Sequence, residues 1–94
     1  SILKELHTDM TEIPVVTFDE IDVDVIEFQP EPNSPVTKHM LKELNFPEDS
    51  IVGVINHHGK IRIAHGTSLL TEDDTALVFA KPKAIKKLKK LFSA

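Results

Sequence analysis

The pattern of apolar and polar residues along this chain changes from strand-like alternation in its first half to a helical stripe at its end. Over residues 21–28 the apolar side chains occupy odd positions as far as Val25 and then move to Ile26 and Phe28. Successive side chains of a strand point to opposite faces, so this shift of parity predicts a β-bulge or a strand that is buried on both faces.

A hairpin is predicted in the middle of the chain. Residues 51–55 carry apolar side chains at both parities, which is typical of a central strand, and His58 and Gly59 supply a flexible turn into residues 61–63. The apolar run over residues 76–80 predicts one more buried strand.

Two helices are predicted from apolar residues at helical spacing. The first begins at Ser34, with Pro35 in the first helical position, and ends before Pro47. Its apolar positions are Val36, Met40, Leu41 and Leu44. The second begins at Pro82 and carries lysines on its polar face. Its apolar stripe consists of Ile85, Leu88, Leu91 and Phe92.

The predicted order of elements is β-α-β-β-β-α, which indicates the α+β class, with a small mixed or antiparallel sheet and helices packed on it. We expect this domain to occupy residues 21–94. Residues 1–20 are expected to form a linker or a connecting helix, with an edge strand over residues 13–18, where Pro14 is tolerated. The chain starts at Ser1 without an initiator methionine, which suggests a piece of a longer protein, although removal of a methionine before Ser1 would give the same start.

Composition narrows the classes of partner. The chain has 94 residues, no cysteine, and no aromatic residue other than five phenylalanines. Disulfides, thiolate metal sites and a cysteine nucleophile are therefore excluded, and a base-stacking platform for nucleic acid is not expected. No apolar run approaches the ~20 residues that cross a bilayer, and no signal-peptide pattern is present, so we expect a cytoplasmic domain without direct membrane insertion.

The net charge of the chain is −4, and its charged residues are unevenly distributed. Acidic residues crowd the first third, and lysines crowd residues 81–90. Opposite patches on one small domain suit self-association or intramolecular pairing as well as an outside partner. The lysine face would also suit anionic lipid or nucleic acid, but a solvated helix face is the simpler explanation.

Catalytic motifs are missing from the sequence. It contains neither the His-Glu-x-x-His nor the Gly-x-Ser-x-Gly spacing that assembles a nucleophile or metal with a base. It also lacks the G-x-G-x-x-G loop of dinucleotide-binding domains. We therefore expect neither enzyme activity nor Rossmann-type binding of NAD or ATP.

Candidate ligand-binding residues surround the hairpin. His57, His58 and His65 lie on or beside it, and imidazoles, which titrate near about pH 6.5, suit a transition metal or a pH sensor. Arg62 points away from its apolar neighbours and suits a phosphate or a carboxylate. The simpler explanations are a polar turn for the histidines, and a salt bridge to a partner subunit or a solvated face for Arg62.

A second candidate anion site lies at the start of the first helix. Ser34 and Lys38 occupy its predicted N-terminus, where free backbone N–H groups favour anions. An N-cap role for Ser34 and a solvated Lys38 are the simpler explanation.

Short segments of the chain form an ordered series that carries a family resemblance. They are Val25–Phe28, Ser34–Lys38, Leu41–Pro47, Ile51–Ile55, Gly59, Ile61, Ile63–Thr67, Asp74, the strand to Phe79 and the closing helix to Leu91–Phe92. In this order, over about residues 21–92, they resemble the TrkA C-terminal (RCK-C) domain of potassium transport regulators.

The resemblance implies a module that pairs with a second copy, senses a small ligand and acts, through a longer parent protein, on a membrane cation channel or transporter. Ligands in this family include cyclic di-AMP, other nucleotides and divalent cations, so the resemblance leaves the cofactor unknown. It also implies a location at the cytoplasmic side of an inner-membrane transporter, or in its cytosolic tail.

Departures from the family pattern bear on the ligand. The family often has Arg-Asp-Gly where this chain has His57, His58 and Gly59, and often has a proline where this chain has Ala64. Where the family has Gly-Asp before the last core strand, this chain matches only at Asp74, which we interpret as turn chemistry. A fixed arginine for phosphate is absent from the hairpin turn, which weakens a cyclic dinucleotide assignment.

Three functional hypotheses follow. The leading one is a regulatory ligand-binding and dimerisation domain that couples a small ligand to the gate of a potassium transport system. The second is a structural dimerisation module with a decayed ligand site, suggested by those departures. The third is a metal or pH sensor built on the histidines of the hairpin.

Overall fold

In a computed structural model, described over residues 12–18 and 22–94, the chain forms an antiparallel sheet followed by a C-terminal helix. The elements are β1 (Glu12–Phe18), β2 (Val23–Phe28), β3 (Ser50–His57), β4 (Lys60–Ile63), β5 (Asp74–Ala80) and α1 (Ile85–Phe92). The five strands lie in the order β1-β2-β5-β3-β4, with every neighbouring pair antiparallel. The predicted α+β class is therefore confirmed, and of the two sheet types expected the antiparallel one is found.

The core lies between the sheet and α1. The last core strand, β5, directs the small side chains of Ala76, Val78 and Ala80 inward, and all three are buried. Small residues there leave room for the larger groups above them, and the rings of Phe28 and Phe92 stack with centroids 4.5 Å apart. The predicted C-terminal helix is confirmed, with one 3-10 turn, Pro82–Ala84, before α1.

The shift of parity predicted in residues 21–28 corresponds to burial on both faces of β2. Val25 and Ile26 are neighbours on this strand, point to opposite faces and are both buried. The pairing of β2 with β5 is continuous, whereas its pairing with β1 shifts register between Pro14 and Val16. The irregularity therefore belongs to the edge strand β1.

A second bulge lies in β3 at Gly53, where the pairing with β5 shifts between Val52 and Val54. A Cβ atom added at Gly53 would come within 2.9 Å of Cε1 of Phe79. Glycine therefore permits the close approach of β3 to a large side chain of β5.

The prediction of a continuous helix that begins at Ser34 and includes Leu44 is wrong. Two separate 3-10 turns, Pro35–Thr37 and Leu41–Glu43, occupy this stretch. The apolar residues were identified correctly, because Val36 and Leu41 are both buried in the core.

Tertiary hydrogen bonds explain why no continuous helix forms there. The backbone N–H of Leu41 donates to the carbonyl of Ser68 (2.9 Å), and that of Lys42 donates to the carbonyl of Gly66 (2.8 Å). In an α-helix both groups would donate to carbonyls four residues earlier. The loop after β4 therefore replaces the helical partners and holds the second 3-10 turn against the sheet.

The predicted edge strand over residues 13–18 coincides with β1, which lies at one edge of the sheet. The connecting helix expected before it falls outside the described residues. Within residues 12–18 and 22–94, no helix combines the length and apolarity needed to cross a bilayer.

Candidate ligand groove and association face

The face of the sheet that points away from α1 carries large apolar side chains. Its exposed members are Ile51 at 64% exposure, Ile61 at 69%, Ile63 at 64% and Phe79 at 36%. We call these four residues the outer apolar face.

Strand register places these four residues together. Ile51 pairs with Phe79, and Val54 pairs with both Leu77 and Ile63. Paired residues of antiparallel strands project to the same side, and so do residues two apart on one strand. All of these side chains consequently point opposite to the inward-facing alanines of β5.

A groove of about 330 Å³ lies at the end of β3 where the chain enters the sheet. It forms because β4 pairs only with residues 54–57 of β3, so that residues 50–53 have no strand partner on that side within the described part of the chain. The loop after β4 reaches across this edge, with the N–H of Ala64 donating to the carbonyl of Gly53 at 2.9 Å.

The lining of this first groove is apolar with a cationic rim. It consists of Leu41, Lys42, Phe46, Ser50, Ile51, Val52, Ala64, His65 and Gly66. Lys42 is exposed, His65 also lines the groove, and no carboxylate is among the lining residues in the described part of the chain. Such a rim favours an anion over a cation.

A second groove of about 390 Å³ lies on the other side of the same strand end. It shares Ser50 and Ile51 with the first groove, but it also contains Glu48, Asp49 and Lys81. Its mixed charges give no clear preference for the sign of a ligand, so the first groove is the stronger candidate.

The hairpin turn brings two of the predicted histidines together. His58 and Gly59 both adopt positive φ angles, of 51° and 86°, as in the two-residue turns typical of hairpins. The rings of His57 and His58 lie edge to face with centroids 4.4 Å apart. The predicted turn is therefore confirmed.

Each of these two histidines faces a carboxylate. Nδ1 of His57 lies 2.5 Å from Oδ1 of the buried Asp74, and Nε2 of His58 lies 3.9 Å from Oδ2 of the exposed Asp73. Asp74 also accepts a hydrogen bond from the N–H of Thr71 at 2.8 Å. Among the described residues, no three histidine or acidic side chains are placed to hold a metal ion.

The other predicted contact residues lie elsewhere. His65 follows the far end of β4 and lines the first groove, roughly 15 Å along the strand from the turn. Arg62 is exposed on β4 and pairs with Ile55, which places it on the opposite face from Ile61 and Ile63, as the sequence predicts.

Ser34 and Lys38 lie apart from both grooves. Ser34 is buried, its Oγ atom has no hydrogen-bond partner among the described residues, and its carbonyl accepts hydrogen bonds from Thr37. Because only a three-residue 3-10 turn follows, the predicted helix N-terminus does not form. These two residues stay predicted ligand contacts that no other feature of the described structure supports.

Sequence reasoning missed Lys42, Ser50 and Ile51 as groove residues and Asp74 as a partner of His57. Lys42 read as one polar position of a predicted helix, and Ile51 read as a core residue of a central strand. Only strand register brings Asp74 opposite His57, seventeen positions earlier. The residue types at these four positions do not by themselves indicate these roles.

Comparison with known proteins agrees with this architecture. The family model of the TrkA-C domain matches residues 25–93. A Trk system potassium uptake protein TrkA homolog from Pyrococcus horikoshii is 32% identical over 69 residues, which cover 72% of this chain and 30% of that protein. The homolog from Pyrococcus abyssi gives the same identity and coverage.

A more distant relative extends the match. A Trk system potassium uptake protein TrkA homolog 2 from Methanosarcina mazei is 26% identical over 78 residues, covering 83% of this chain and 17% of that protein. The chain thus corresponds to less than a third of the length of these relatives. By its match to the family model over most of its length, the chain belongs to the TrkA-C domain family.

Proposed function

We propose that this chain is a regulatory domain of a potassium transport system, in which two copies associate and a small anionic ligand binds beside their interface. The names of the three relatives, all Trk potassium uptake homologs, support the proposed role in potassium transport. The domain acts by binding and not by catalysis. It belongs to a longer parent protein that meets a membrane cation transporter or channel from the cytoplasm.

The outer apolar face carries the proposal. Four large apolar side chains project from one side of the sheet, three of them more than half exposed. Complete burial of one such side chain contributes about 1.5–3 kcal/mol, so exposing all of them to water is costly. A second copy would cover this face with an identical surface, as in two-fold dimers.

The chemistry of the first groove supports an anionic ligand. Lys42 places positive charge beside an apolar lining that includes Leu41 and Phe46, and His65 adds a hydrogen-bonding ring. A nucleotide or cyclic dinucleotide matches this combination, because the flat aromatic face of its base can stack on apolar side chains while its phosphates meet the lysine. A divalent cation fits less well, because none of the described residues that line the groove is a carboxylate.

One side chain links association to ligand binding. Ile51 lines the first groove and is also a member of the outer apolar face. A ligand that contacts Ile51 would favour the associated or the separate state according to its affinity for each. Such a difference in affinity would let the domain pass a signal to a transport protein.

The test is a thermal-shift screen of the 94-residue chain with cyclic di-AMP, cyclic di-GMP, ATP, ADP, NADH, Mg²⁺, Ca²⁺ and Zn²⁺. A ligand at about 100 times its Kd stabilises the folded state by about 2.7 kcal/mol. We expect a selective shift with one nucleotide and a smaller shift for the variant Lys42→Gln. Lys86→Gln, an exposed lysine on α1 away from the groove, is the matched control and should respond like the wild type.

A structural dimerisation module is the second candidate function, because the outer apolar face requires no ligand. A chain that sediments as a dimer but shows no thermal shift with any compound would favour this second function and contradict ligand sensing. A chain that stays monomeric at millimolar concentration and binds nothing would contradict both.

A further inference from the structure

The contact between His57 and Asp74 joins two turns at one end of the sheet. His57 is the last residue of β3, directly before the hairpin turn, and Asp74 is the first residue of β5, directly after the turn of residues 71–73. Their side chains meet at 2.5 Å, and Oδ2 of Asp74 accepts the N–H of Thr71 at 2.8 Å. The N–H of Asp74 donates in return to the carbonyl of Thr71 at 3.0 Å.

The two partners differ in exposure. The side chain of Asp74 is 1% exposed, whereas that of His57 is 41% exposed. A carboxylate removed from water is costly unless hydrogen bonds and an opposite charge compensate it. His57 supplies the only ion pair to Asp74 among the described residues, and it carries charge only when both ring nitrogens are protonated.

Other charged groups around His57 do not replace this partner. Lys60 lies opposite His57 on β4, and Arg62 lies two residues further along on the same face. Both are cations, so they oppose a charged imidazole and do not stabilise it. On the other side, the adjacent His58 faces Asp73 at 3.9 Å, and both of those side chains are exposed.

We propose that His57 and Asp74 form a protonation-controlled latch, which holds the hairpin turn to the turn before β5. A charged imidazole gives a charge-assisted hydrogen bond, which is stronger than the neutral one. Since the folded state offers charged His57 a carboxylate partner, the latch is closed at lower pH. It loosens when a rising pH removes the charge of the imidazole.

The latch goes beyond the proposed function, because neither association nor a ligand enters its test. Amide exchange measured by NMR, corrected for intrinsic rates, reports on each turn separately. The N–H of Thr71 reports on the turn before β5, and the N–H of Gly59, which donates to Oδ1 of Asn56 at 2.9 Å, reports on the hairpin turn.

We expect the protection of both amides to fall about fivefold between pH 6 and pH 8, the difference between a charge-assisted and a neutral hydrogen bond. His57→Gln keeps a hydrogen-bond donor but does not titrate, so both protections should become independent of pH. Asp74→Asn should do the same if it folds. His58→Gln is the matched control and should retain the fivefold fall.

Two results would overturn the latch. One is a fall of protection that persists in His57→Gln, because another group would then be responsible. The other is a wild type in which Thr71 alone changes, or in which neither amide does, because the two turns would then be uncoupled from the charge on His57.

Discussion

The two faces of this sheet differ in the size of the apolar side chains that β5 directs to them. On β5 the inward positions hold Ala76, Val78 and Ala80, all buried, whereas the outward position 79 holds a phenylalanine that is 36% exposed. The inward side chains of β5 are small because α1 packs over them. The outward side chains are large, and nothing among the described residues packs over the exposed ones, which is why we propose that a second copy covers them.

The first way to test this comparison is to damage the inner face. Phe92→Ala removes a fully buried ring that stacks on Phe28. We expect the free energy of unfolding to fall by about 3–5 kcal/mol, from the loss of burial and the cavity left behind. Urea unfolding measures it, with Lys90→Ala, exposed on the same helix, as control. A loss below about 1 kcal/mol would show that α1 contributes little to the core.

The second test alters the outer face. The double variant Ile61→Thr and Ile63→Thr keeps β-branched residues on β4 but removes apolar surface. We expect the free energy of unfolding of the separate chain to change by less than about 0.5 kcal/mol per site. The Kd of association should rise about a hundredfold, which corresponds to about 2.7 kcal/mol.

Analytical ultracentrifugation over a dilution series measures this second effect. Leu69→Thr changes an exposed leucine that is not a member of the outer apolar face, so it should leave the Kd unchanged. An unchanged Kd in the double variant would place the association surface elsewhere.

The smallest effect of the three is expected for a substitution in the bulge of β3. Gly53→Ala places a methyl group 2.9 Å from Cε1 of Phe79, and the ring must turn away on the exposed face. We expect a loss of about 0.5–1.5 kcal/mol in the free energy of unfolding, the range for a side chain displaced from its preferred rotamer.

The matched variant Phe79→Leu removes most of the obstacle to the added methyl group. In the double-mutant cycle Gly53→Ala should therefore cost less in the Phe79→Leu background than in the wild type. Equal costs in both backgrounds would mean that the bulge itself, and not the ring, requires glycine.

Much of the fold followed from local pattern. The hairpin could be predicted because His58 and Gly59 supply a turn signal between the apolar segments of residues 51–55 and 61–63. The C-terminal helix could be predicted because its apolar positions recur at helical spacing after Pro82. The stretch from Ser34 to Leu44 could not, since two N–H groups at its end donate to the carbonyls of Ser68 and Gly66, far along the chain.

The candidate site was less predictable than the fold. Of the six residues predicted to contact a ligand, only His65 lines the first groove, while Lys42 and Ile51 were read as helix surface and core. A groove exists there because β4 is too short to cover all of β3. The length of a strand's neighbour is a property of the whole sheet, which local spacing does not contain.

The sequence by itself determined the class of the domain, its five described strands and α1 and, through an ordered series of segments, its family. These depend on turn residues, hydrophobic period and residue order, all of which act within a few positions along the chain. Tertiary structure alone decided which isoleucines remain exposed, which carboxylate faces His57 and where a groove opens. Each of those depends on strand register, because register sets which distant residues share a face and which backbone groups are left without a partner.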